Sequence, residues 1–308
     1  MSFIQRHGGV GILTPEDVPD LRNAVKEAFA ILMDGQWHSG QEIKERHRHG
    51  QGEALRRVRD PMRRVVWFSC GAASAVAARL TLEKHKEDVE VVYCDTMASE
   101  HEDNQRFFDD VQEWLGQPIT RIKSEKYDTV DDVFEKTRYL AGIQGARCTV
   151  EMKKVPRFNF QRPDDIHIFG LTADEPGRIA TFEKNNHDLN LEWPLQTEGM
   201  TKDRCLAYIA QAGIVLPTMY QLGYRNNNCK GCVKATSARY WNMIRRDFPE
   251  VFQRRCEQSR ELNVRLTRLH GERIFLDELP PDYLSGDLEN ISCGPDCSTQ
   301  ADLFEVAI

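Results

Sequence analysis

The segment from which the architecture follows reads Val65-Val66-Trp67-Phe68-Ser69-Cys70-Gly71-Ala72-Ala73-Ser74. A short apolar run followed by small residues predicts a buried strand that turns into a helix. At such a turn the free backbone N–H groups and the helix dipole attract an anion. Gly71 permits close approach of the backbone, and the hydroxyls of Ser69 and Ser74 can donate to phosphate oxygens. Taken alone, the same turn is equally typical of a tight connection without a ligand.

Three more apolar runs follow, at residues 89–93, 119–122 and 166–169, with helical stretches between them. Apolar strands that alternate with helices predict an α/β fold, a mainly parallel sheet with helices on both faces. Ligands bind such sheets at the carboxyl ends of the strands. We therefore expect the chemistry to lie where residues 68, 93 and 169 end their strands.

Composition narrows the class of protein. The 308 residues carry 41 Lys and Arg against 48 Asp and Glu, a net charge of −7, with 40% hydrophobic residues, which argues against global disorder. No apolar run approaches the roughly 20 residues that cross a bilayer, so we expect a cytoplasmic protein without a membrane partner. In that compartment the nine cysteines are expected to be ligands, reactive thiols or buried residues rather than disulfides.

The first 62 residues predict three short helices, and residues 44–64 contain eight Lys or Arg against three acids. This pattern resembles a helix-turn-helix module that contacts nucleic acid, tRNA or DNA, through phosphate. A solvated face on a packing extension is the alternative. The predicted organisation is therefore a helical module at 1–62, a nucleotide-binding domain at 63–236 and a helical, cysteine-bearing region at 237–308.

Residues 68–74 resemble the pyrophosphate loop, Ser-Gly-Gly-x-x-Ser, of the PP-loop superfamily. The likeness is strongest to the looser form in phosphoadenosine-phosphosulfate (PAPS) and adenosine-phosphosulfate (APS) reductases. It implies that the loop binds an adenine nucleotide, namely ATP, APS or PAPS. Cys70 replaces the first glycine and Ala73 replaces the aspartate of ATP pyrophosphatases. The missing carboxylate bears against magnesium-assisted cleavage of ATP, and whether magnesium accompanies the nucleotide stays open.

The resemblance extends over roughly residues 63–297. Asp95-Thr96 matches an Asp-Thr pair, Glu175 and Arg178 match a Gly-x-Arg-x-x-Glu-x-x-Arg segment, and residues 193–195 and 217–224 match the stretches ahead of the family's cysteines. For Asp95 a turn or helix cap is the alternative, and for Arg178 a surface position. The implied nucleotide contacts are Ser69, Cys70, Gly71, Ala72, Ala73, Ser74, Asp95, Thr96, Gly170, Glu175 and Arg178.

Cys229-Lys230-Gly231-Cys232 can place two thiolates on one metal, and by itself fits zinc, an iron–sulfur cluster or a redox pair. Cys148 lies in a segment that resembles the cluster-binding pattern of APS-type reductases, although Arg147 stands where the first cysteine would be. The resemblance implies a 4Fe-4S cluster on Cys148, Cys229 and Cys232. Its fourth ligand is Cys293 or Cys297, or one iron stays open as in thiolation enzymes of the superfamily. Zinc held by Cys229, Cys232, Cys293 and Cys297 is the alternative.

Cys293-Gly294 resembles the Glu-Cys-Gly-Leu-His tail of sulfonucleotide reductases, although Ser292 and Asp296 replace the glutamate and the histidine. The resemblance makes Cys293 a candidate nucleophile and implies a thioredoxin-like reductant. Other positions are assigned from the residues themselves. Lysines that flank the thiols (Lys153, Lys154, Lys230 and Lys234) would lower thiol pKa values, or else are ordinary surface residues. Cys94, Cys205 and Cys256 are assigned to the core, as are the aromatics of a helix near Tyr240 and Trp241.

Three functions follow as hypotheses. The first is a PAPS/APS reductase-like enzyme that performs sulfur chemistry at an iron–sulfur cluster, and phage and bacterial relatives with the phrase Gly231-Cys232-Val233-Lys234 resemble it most. The second is an ATP-dependent enzyme that thiolates a nucleobase of tRNA or DNA. The third is a zinc-containing, nucleotide-sensing DNA-binding regulator. The sequence predicts no oligomeric state.

Overall fold

The computed structural model describes residues 62–142, 145–284, 291 and 293. The helices predicted before residue 62 and the candidate ligand Cys297 lie outside these residues. The described residues belong to one compact unit that begins at Met62. Within it, no helix is long and apolar enough to cross a membrane.

The strands, in chain order, are β1 (Arg64–Phe68), β2 (Val89–Cys94), β3 (Ile119–Ile122), β4 (Ala141–Gly142), β5 (Gly145–Ala146), β6 (Ile166–Phe169), β7 (Asn190–Glu192), β8 (Thr267–Leu269) and β9 (Glu272–Ile274). The α-helices are α1 (Ala72–His85), α2 (Asn104–Leu115), α3 (Val130–Thr137), α4 (Arg147–Thr149), α5 (Val155–Phe160), α6 (Pro176–Asn185), α7 (Pro194–Thr197), α8 (Lys202–Gln211), α9 (Thr218–Gln221), α10 (Ala238–Asp247) and α11 (Pro249–Glu261). A π-helical turn, Val150–Lys154, joins α4 to α5.

The main sheet has five strands in the order β3-β2-β1-β6-β7. Every neighbouring pair is parallel, with Trp67 of β1 opposite Val92 on one side and Phe169 on the other. The predicted parallel α/β fold is confirmed, and all four predicted strands are present. Connections run outward from β1 to β3 and then return to β6, so the strand order reverses between β1 and β6. A crevice at that point is where open α/β sheets bind ligands.

Alternate residues of β1 point to opposite faces, as strand geometry requires. Val66 and Phe68 join the apolar cluster beneath α1 and α8, whereas Val65 and Trp67 join a second cluster with Phe182 of α6. Because both faces are covered, the strand is apolar throughout rather than alternating. Four of the five alanines of α1 are fully buried, which allows the helix to pack close to the sheet.

A third apolar cluster lies beside the sheet and carries the Cys-x-x-Cys turn. Tyr240 and Trp241 of α10 are buried in it, which confirms their assignment to a core. Trp241 Nε1 donates to the Ala235 carbonyl at 3.0 Å, and the Tyr240 hydroxyl accepts from the Cys232 N–H at 2.8 Å. These polar contacts fix the loop between Cys232 and α10. Cys94, Cys205 and Cys256 are buried in apolar clusters, as predicted.

Candidate active site

A cleft opens at the carboxyl ends of β1 and β6. Seven of the predicted nucleotide contacts line it: Ser69, Gly71, Ala73, Ser74, Gly170, Glu175 and Arg178. The helix α1 starts there, and its first-turn N–H groups have no partner within the helix. The fold thus brings the predicted loop and the segment after β6 to one place.

Hydroxyl groups close the loop after β1 onto α1. Ser74 Oγ accepts from the Ser69 N–H and donates to the Gly71 carbonyl, both at 3.0 Å. Cys70 has a φ of 55°, in the left-handed region that favours glycine. Its thiol donates to the Asn104 carbonyl at 3.5 Å, inside the protein. Burial and the nearby Glu100 carboxylate raise the pKa of Cys70 well above its usual value.

Cys70 and Ala72 are therefore buried below the loop, and neither lines the cleft.

Gly170 lets the end of β6 and the loop after β1 lie close together, because it has no side chain. A Cβ atom at this position would lie 2.7 Å from the backbone nitrogen of Ser74 and 2.8 Å from its Cα. Only glycine lets the end of β6 approach the loop this closely.

Basic side chains enter the cleft from three elements. Arg178 of α6 pairs with Glu175, which also accepts from the Thr172 hydroxyl at 2.9 Å. Lys202 of α8 donates through Nζ to Asn226 Oδ1 at 2.8 Å, and burial lowers its pKa. Lys153 comes from the π-helical turn and is 7% exposed. These cations make the cleft suitable for an anion such as a phosphate group.

The structure does not place Asp95 or Thr96 in this cleft. Asp95 accepts from the Met97 N–H at 3.1 Å, as its turn-capping alternative predicts, and lies 3.7 Å from Arg121 and 3.6 Å from Lys123. Thr96 is buried, and its hydroxyl donates to Glu100 Oε1 at 2.5 Å. Thr96 faces a different cavity.

Four thiols line that second, smaller cavity: Cys148, Cys229, Cys232 and Cys293. They come from α4, from the Cys-x-x-Cys turn and from the carboxyl-terminal segment, so residues far apart in the chain converge. The Cys232 thiol donates to Cys293, which holds the pKa of Cys293 well below its usual value although burial opposes this. Burial raises the pKa of Cys148 to about 12 and that of Cys229 well above its usual value.

Local backbone geometry positions the Cys-x-x-Cys turn. Gly231 has a φ of 63°, and a Cβ there would lie 2.7 Å from Val251 Cγ1. Arg255 Nε donates to the Gly231 carbonyl at 3.1 Å, and the Lys230 N–H donates to the Ser99 carbonyl at 3.1 Å. The Lys230 side chain pairs with Glu102. Lys234 lies near Cys148 and Cys293, where its charge opposes the rise that burial causes in the pKa of Cys148 and adds to the lowering of the pKa of Cys293.

Lys153 and Cys293 line both the cleft and the thiol cavity. Lys153 Nζ donates to the Cys293 carbonyl at 2.6 Å. Burial by itself lowers the pKa of Lys153, but Cys293, Cys229 and Glu100 outweigh it, and the pKa is raised. A fixed positive charge therefore stands between the two cavities.

The thiol cavity fits a thiolate-bound group by its donor chemistry. Four sulfur donors suit an iron–sulfur cluster or zinc. The adjacent lysines would stabilise the negative charge of the thiolate ligands. Among the residues that the structure describes, no group of three or more His, Cys, Asp or Glu side chains is already arranged around a metal position. The donors are thus gathered around one cavity without forming a preset coordination polyhedron.

Sequence reasoning missed several residues of the cleft. Lys202, Glu100 and the run Asn226-Asn227-Asn228 line it, yet none belongs to a motif that the sequence analysis recognised. The triple asparagine directly before Cys229 was the available signal. Asn226 and Asn228 both donate to the Ile291 carbonyl, at 3.3 and 2.9 Å, so they hold the carboxyl-terminal segment that carries Cys293.

A crystal structure of phosphoadenylyl-sulfate (PAPS) reductase from Candida auris, in a phosphate complex, aligns with 72% of this chain and 98% of its own. The sequence identity is 13% and the TM-score is 0.38. No protein-family model and no curated protein sequence matches the chain.

Proposed function

We propose that this protein is an enzyme that binds an adenine nucleotide in the cleft and performs sulfur chemistry at the adjoining thiols. The proposal rests on one observation: Lys153 and Cys293 line both the cleft and the thiol cavity. A group attached to the nucleotide's phosphate would thus lie beside a thiol. The known activity that this arrangement of cleft and thiols fits best is that of a sulfonucleotide reductase.

Nucleotide binding would use the loop after β1. The first-turn N–H groups of α1 would hold phosphate oxygens, and the Ser69 hydroxyl, which here donates to Ser74 Oγ at 3.2 Å, would turn toward them. Lys202 and Arg178 would neutralise the remaining charge from the opposite wall. Lys153 would then face the part of the ligand nearest the thiols.

In the reaction, the Cys293 thiolate would attack the sulfur of an adenylyl sulfate. A sulfur–sulfur bond forms, the bond from sulfur to the bridging oxygen breaks, and its electron pair leaves on the phosphate of AMP or of its phosphorylated form. Two electrons from a thioredoxin-like dithiol would then release sulfite and restore the thiol. A cluster on Cys148, Cys229 and Cys232 would supply iron–sulfur chemistry beside this group.

Mass spectrometry of the intact protein tests the thiol's role. After anaerobic incubation with APS or PAPS and no reductant, we expect a mass increase of one SO₃ group, mapped to Cys293. The variant Cys293→Ser should gain nothing, whereas Cys256→Ser, which removes a core thiol, should behave like the wild type. No adduct on any variant, or an adduct that persists in C293S, would refute this activity.

One observation favours nucleobase thiolation as a second candidate function. A groove beyond the thiol cavity is lined by Lys234, Arg265 and Arg273 together with Val233, which also lines the thiol cavity. Among its described lining residues there is no acid. A phosphate backbone could therefore lie against the far side of the thiols.

Salt-dependent binding of tRNA and duplex DNA tests this alternative. If the groove holds nucleic acid, Arg265→Gln with Arg273→Gln should weaken binding and reduce the slope of log affinity against log salt by about one or two. Arg79→Gln, on α1, is the matched control. Binding that is unchanged in the double variant but lost when Arg56, Arg57 and Arg59 are neutralised would move the interface to the amino-terminal segment.

A further inference from the structure

One buried polar atom of the cleft has no protein partner. Asn227 lines the cleft and is 6% exposed. Its Oδ1 is buried and accepts no hydrogen bond from any residue that the structure describes. Buried polar atoms are rarely left unpaired in folded proteins, because an unmade hydrogen bond costs about 1–3 kcal/mol. Because Asn227 lines the cleft, a ligand bound there would be the source of the missing donor.

The orientation of the Asn227 amide is fixed by its neighbours. Nδ2 donates to the Cys70 carbonyl at 2.6 Å and to Asn104 Oδ1 at 2.9 Å, which uses both of its hydrogens. Asn104 is itself fixed, since its own Nδ2 donates to Glu100 Oε2 at 2.7 Å. Turning the Asn227 amide over would place its oxygen against two acceptors. Oδ1 is therefore the amide atom left for a ligand.

The backbone around Asn227 is held as firmly. Its backbone and that of Ala72 both lie against the Tyr220 hydroxyl and oppose the rise that burial causes in the pKa of Tyr220, so the residue lies beside the first turn of α1. Asn226 and Asn228 turn to the other side and donate to the Ile291 carbonyl. The Asn227 acceptor is thus anchored to the same loop that would bind phosphate, and it cannot move away from an unsuitable ligand at low cost.

We propose that Asn227 Oδ1 accepts a hydrogen bond from an O–H or N–H group of the bound nucleotide and makes the cleft selective for ligands that carry this donor near their phosphates. The inference rests on the proposed nucleotide-binding function. An ionised phosphate oxygen cannot satisfy this position, because it is itself an acceptor. On an adenine nucleotide the available donors are the two ribose hydroxyls and the exocyclic amine.

Calorimetric titration of the full-length protein with ADP and three analogues tests the inference. Two analogues each lack one ribose hydroxyl, and the third has a doubly methylated adenine amine. With EDTA present, so that no metal-bound water acts as donor, we expect one analogue to bind about tenfold or more weakly than ADP. The identity of that analogue names the donor.

The variant Asn227→Ala separates recognition from structure. Its affinity for ADP should fall to that for the discriminated analogue, so the ratio between them approaches one. In Asn228→Ala, which removes a neighbouring cleft amide, the ratio should persist. Folding of both variants is checked by thermal melting, and the wild-type series is decisive even if N227A does not fold.

Three further outcomes are distinguishable. Equal wild-type affinity for ADP and all three analogues would overturn the inference and leave nucleotide binding intact. Discrimination that survives in N227A would overturn it as well. Failure of ADP and every analogue to bind would instead refute the proposed function, and this inference with it.

Discussion

At the scale of single residues, close backbone contacts shape both cavities. Gly170 lets the end of β6 meet the first turn of α1, and Gly231 lets the Cys-x-x-Cys turn pack against Val251. Cys70 takes a left-handed φ that costs about 1 kcal/mol for a residue other than glycine. Its buried side chain offsets part of that cost. Close contacts and backbone angles, rather than a chemical role, therefore limit which residues fit at these positions.

Gly170→Ala should destabilise the protein by about 2 kcal/mol and abolish ADP binding, because a methyl group would meet the Ser74 backbone. Chemical denaturation and calorimetric titration measure the two effects. The matched control is Gly177→Ala in α6, where a Cβ meets nothing within 4 Å and stability should stay the same or rise. Wild-type stability and affinity in G170A would show that the loop can retreat.

His167 is a buried residue of β6 whose protonation opposes folding. Its Nδ1 accepts from Trp67 Nε1 at 3.0 Å, and the two rings stack with centroids 6.0 Å apart. Burial lowers its pKa to about 4, with help from Arg157 and Arg63 and against Asp165 and Asp188. Above pH 6.5 the histidine is neutral in both folded and unfolded chains. Between about pH 6.5 and 4 only the unfolded chain gains the proton, so stability falls as the pH falls.

We expect this residue to remove about 3 kcal/mol of stability between pH 6.5 and 4, from the size of the pKa shift. His167→Asn keeps an acceptor for Trp67 but does not titrate, so its unfolding free energy should fall less over that interval. The exposed His187→Asn is the control and should follow the wild type. Parallel pH profiles for H167N and the wild type would contradict the assignment.

How far single residues could be predicted depended on local signals. The loop residues and the cysteines stand in recognisable spacings, and the fold brings Cys148, Cys229, Cys232 and Cys293 to one cavity. Lys202 and Asn227 carry no such pattern, since a helix-initiating lysine and one asparagine of three look like surface residues. Their position in the cleft follows from tertiary packing, which a local pattern does not encode.

At the scale of elements, the strand reversal between β1 and β6 creates the cleft, which Ile291 and Cys293 also line. Asn226 and Asn228 hold the Ile291 carbonyl, and Lys153 holds the Cys293 carbonyl. Three side-chain donors therefore fix a short segment against two cavities.

The double variant Asn226→Ala, Asn228→Ala should release this segment. We expect Cys293 to react about tenfold faster with iodoacetamide, as followed by peptide mass spectrometry, because an unpaired segment opens more often. The fold should persist, since both side chains lie at the rim of the cleft. Asn190→Ala, at an exposed position of β7, should leave the rate unchanged. An unaltered rate in the double variant would show that these asparagines do not hold Cys293.

Elements with strong periodic signals were predictable and others were not. Nearly continuous apolar runs marked β1 and β6, because strands covered on both faces need no polar alternation. The strands β2 and β3 were recognised although Glu90 interrupts the first, and Thr120 and Arg121 interrupt the second. The edge strand β7 has three residues, Asn190 to Glu192, and is too short and polar to stand out. The π-helical turn that buries Lys153 and Lys154 has no sequence signature, and its lysines read equally well as surface residues.

At the scale of the whole molecule, positive charge is concentrated in particular regions although the net charge is negative. The chain has a net charge of −7, yet three cations, Lys153, Lys202 and Arg178, line the cleft against two acids, Glu100 and Glu175. Lys234, Arg265 and Arg273 line the groove beyond the thiols, where no described lining residue is acidic. Local positive potential of this kind attracts anions even to an acidic protein. All described residues of both cavities belong to the compact unit that begins at Met62.

A chain truncated to residues 62–308 should therefore fold and bind ADP with the affinity of the full-length protein. Thermal melting with and without ADP measures both properties, since a ligand stabilises only the folded state that binds it. If the basic amino-terminal segment holds nucleic acid, the same truncation should abolish binding of tRNA and DNA. Loss of the ADP-induced shift on truncation would show that the segment contributes to the cleft.

The most direct test of the central claim is iron, zinc and acid-labile sulfide analysis of protein purified without oxygen, alongside Cys229→Ser and the core variant Cys256→Ser. The account predicts iron and sulfide in equal amounts in the wild type and in C256S, and their loss in C229S. Stoichiometric zinc without sulfide, or no metal in any preparation, would contradict an iron–sulfur centre beside the nucleotide cleft.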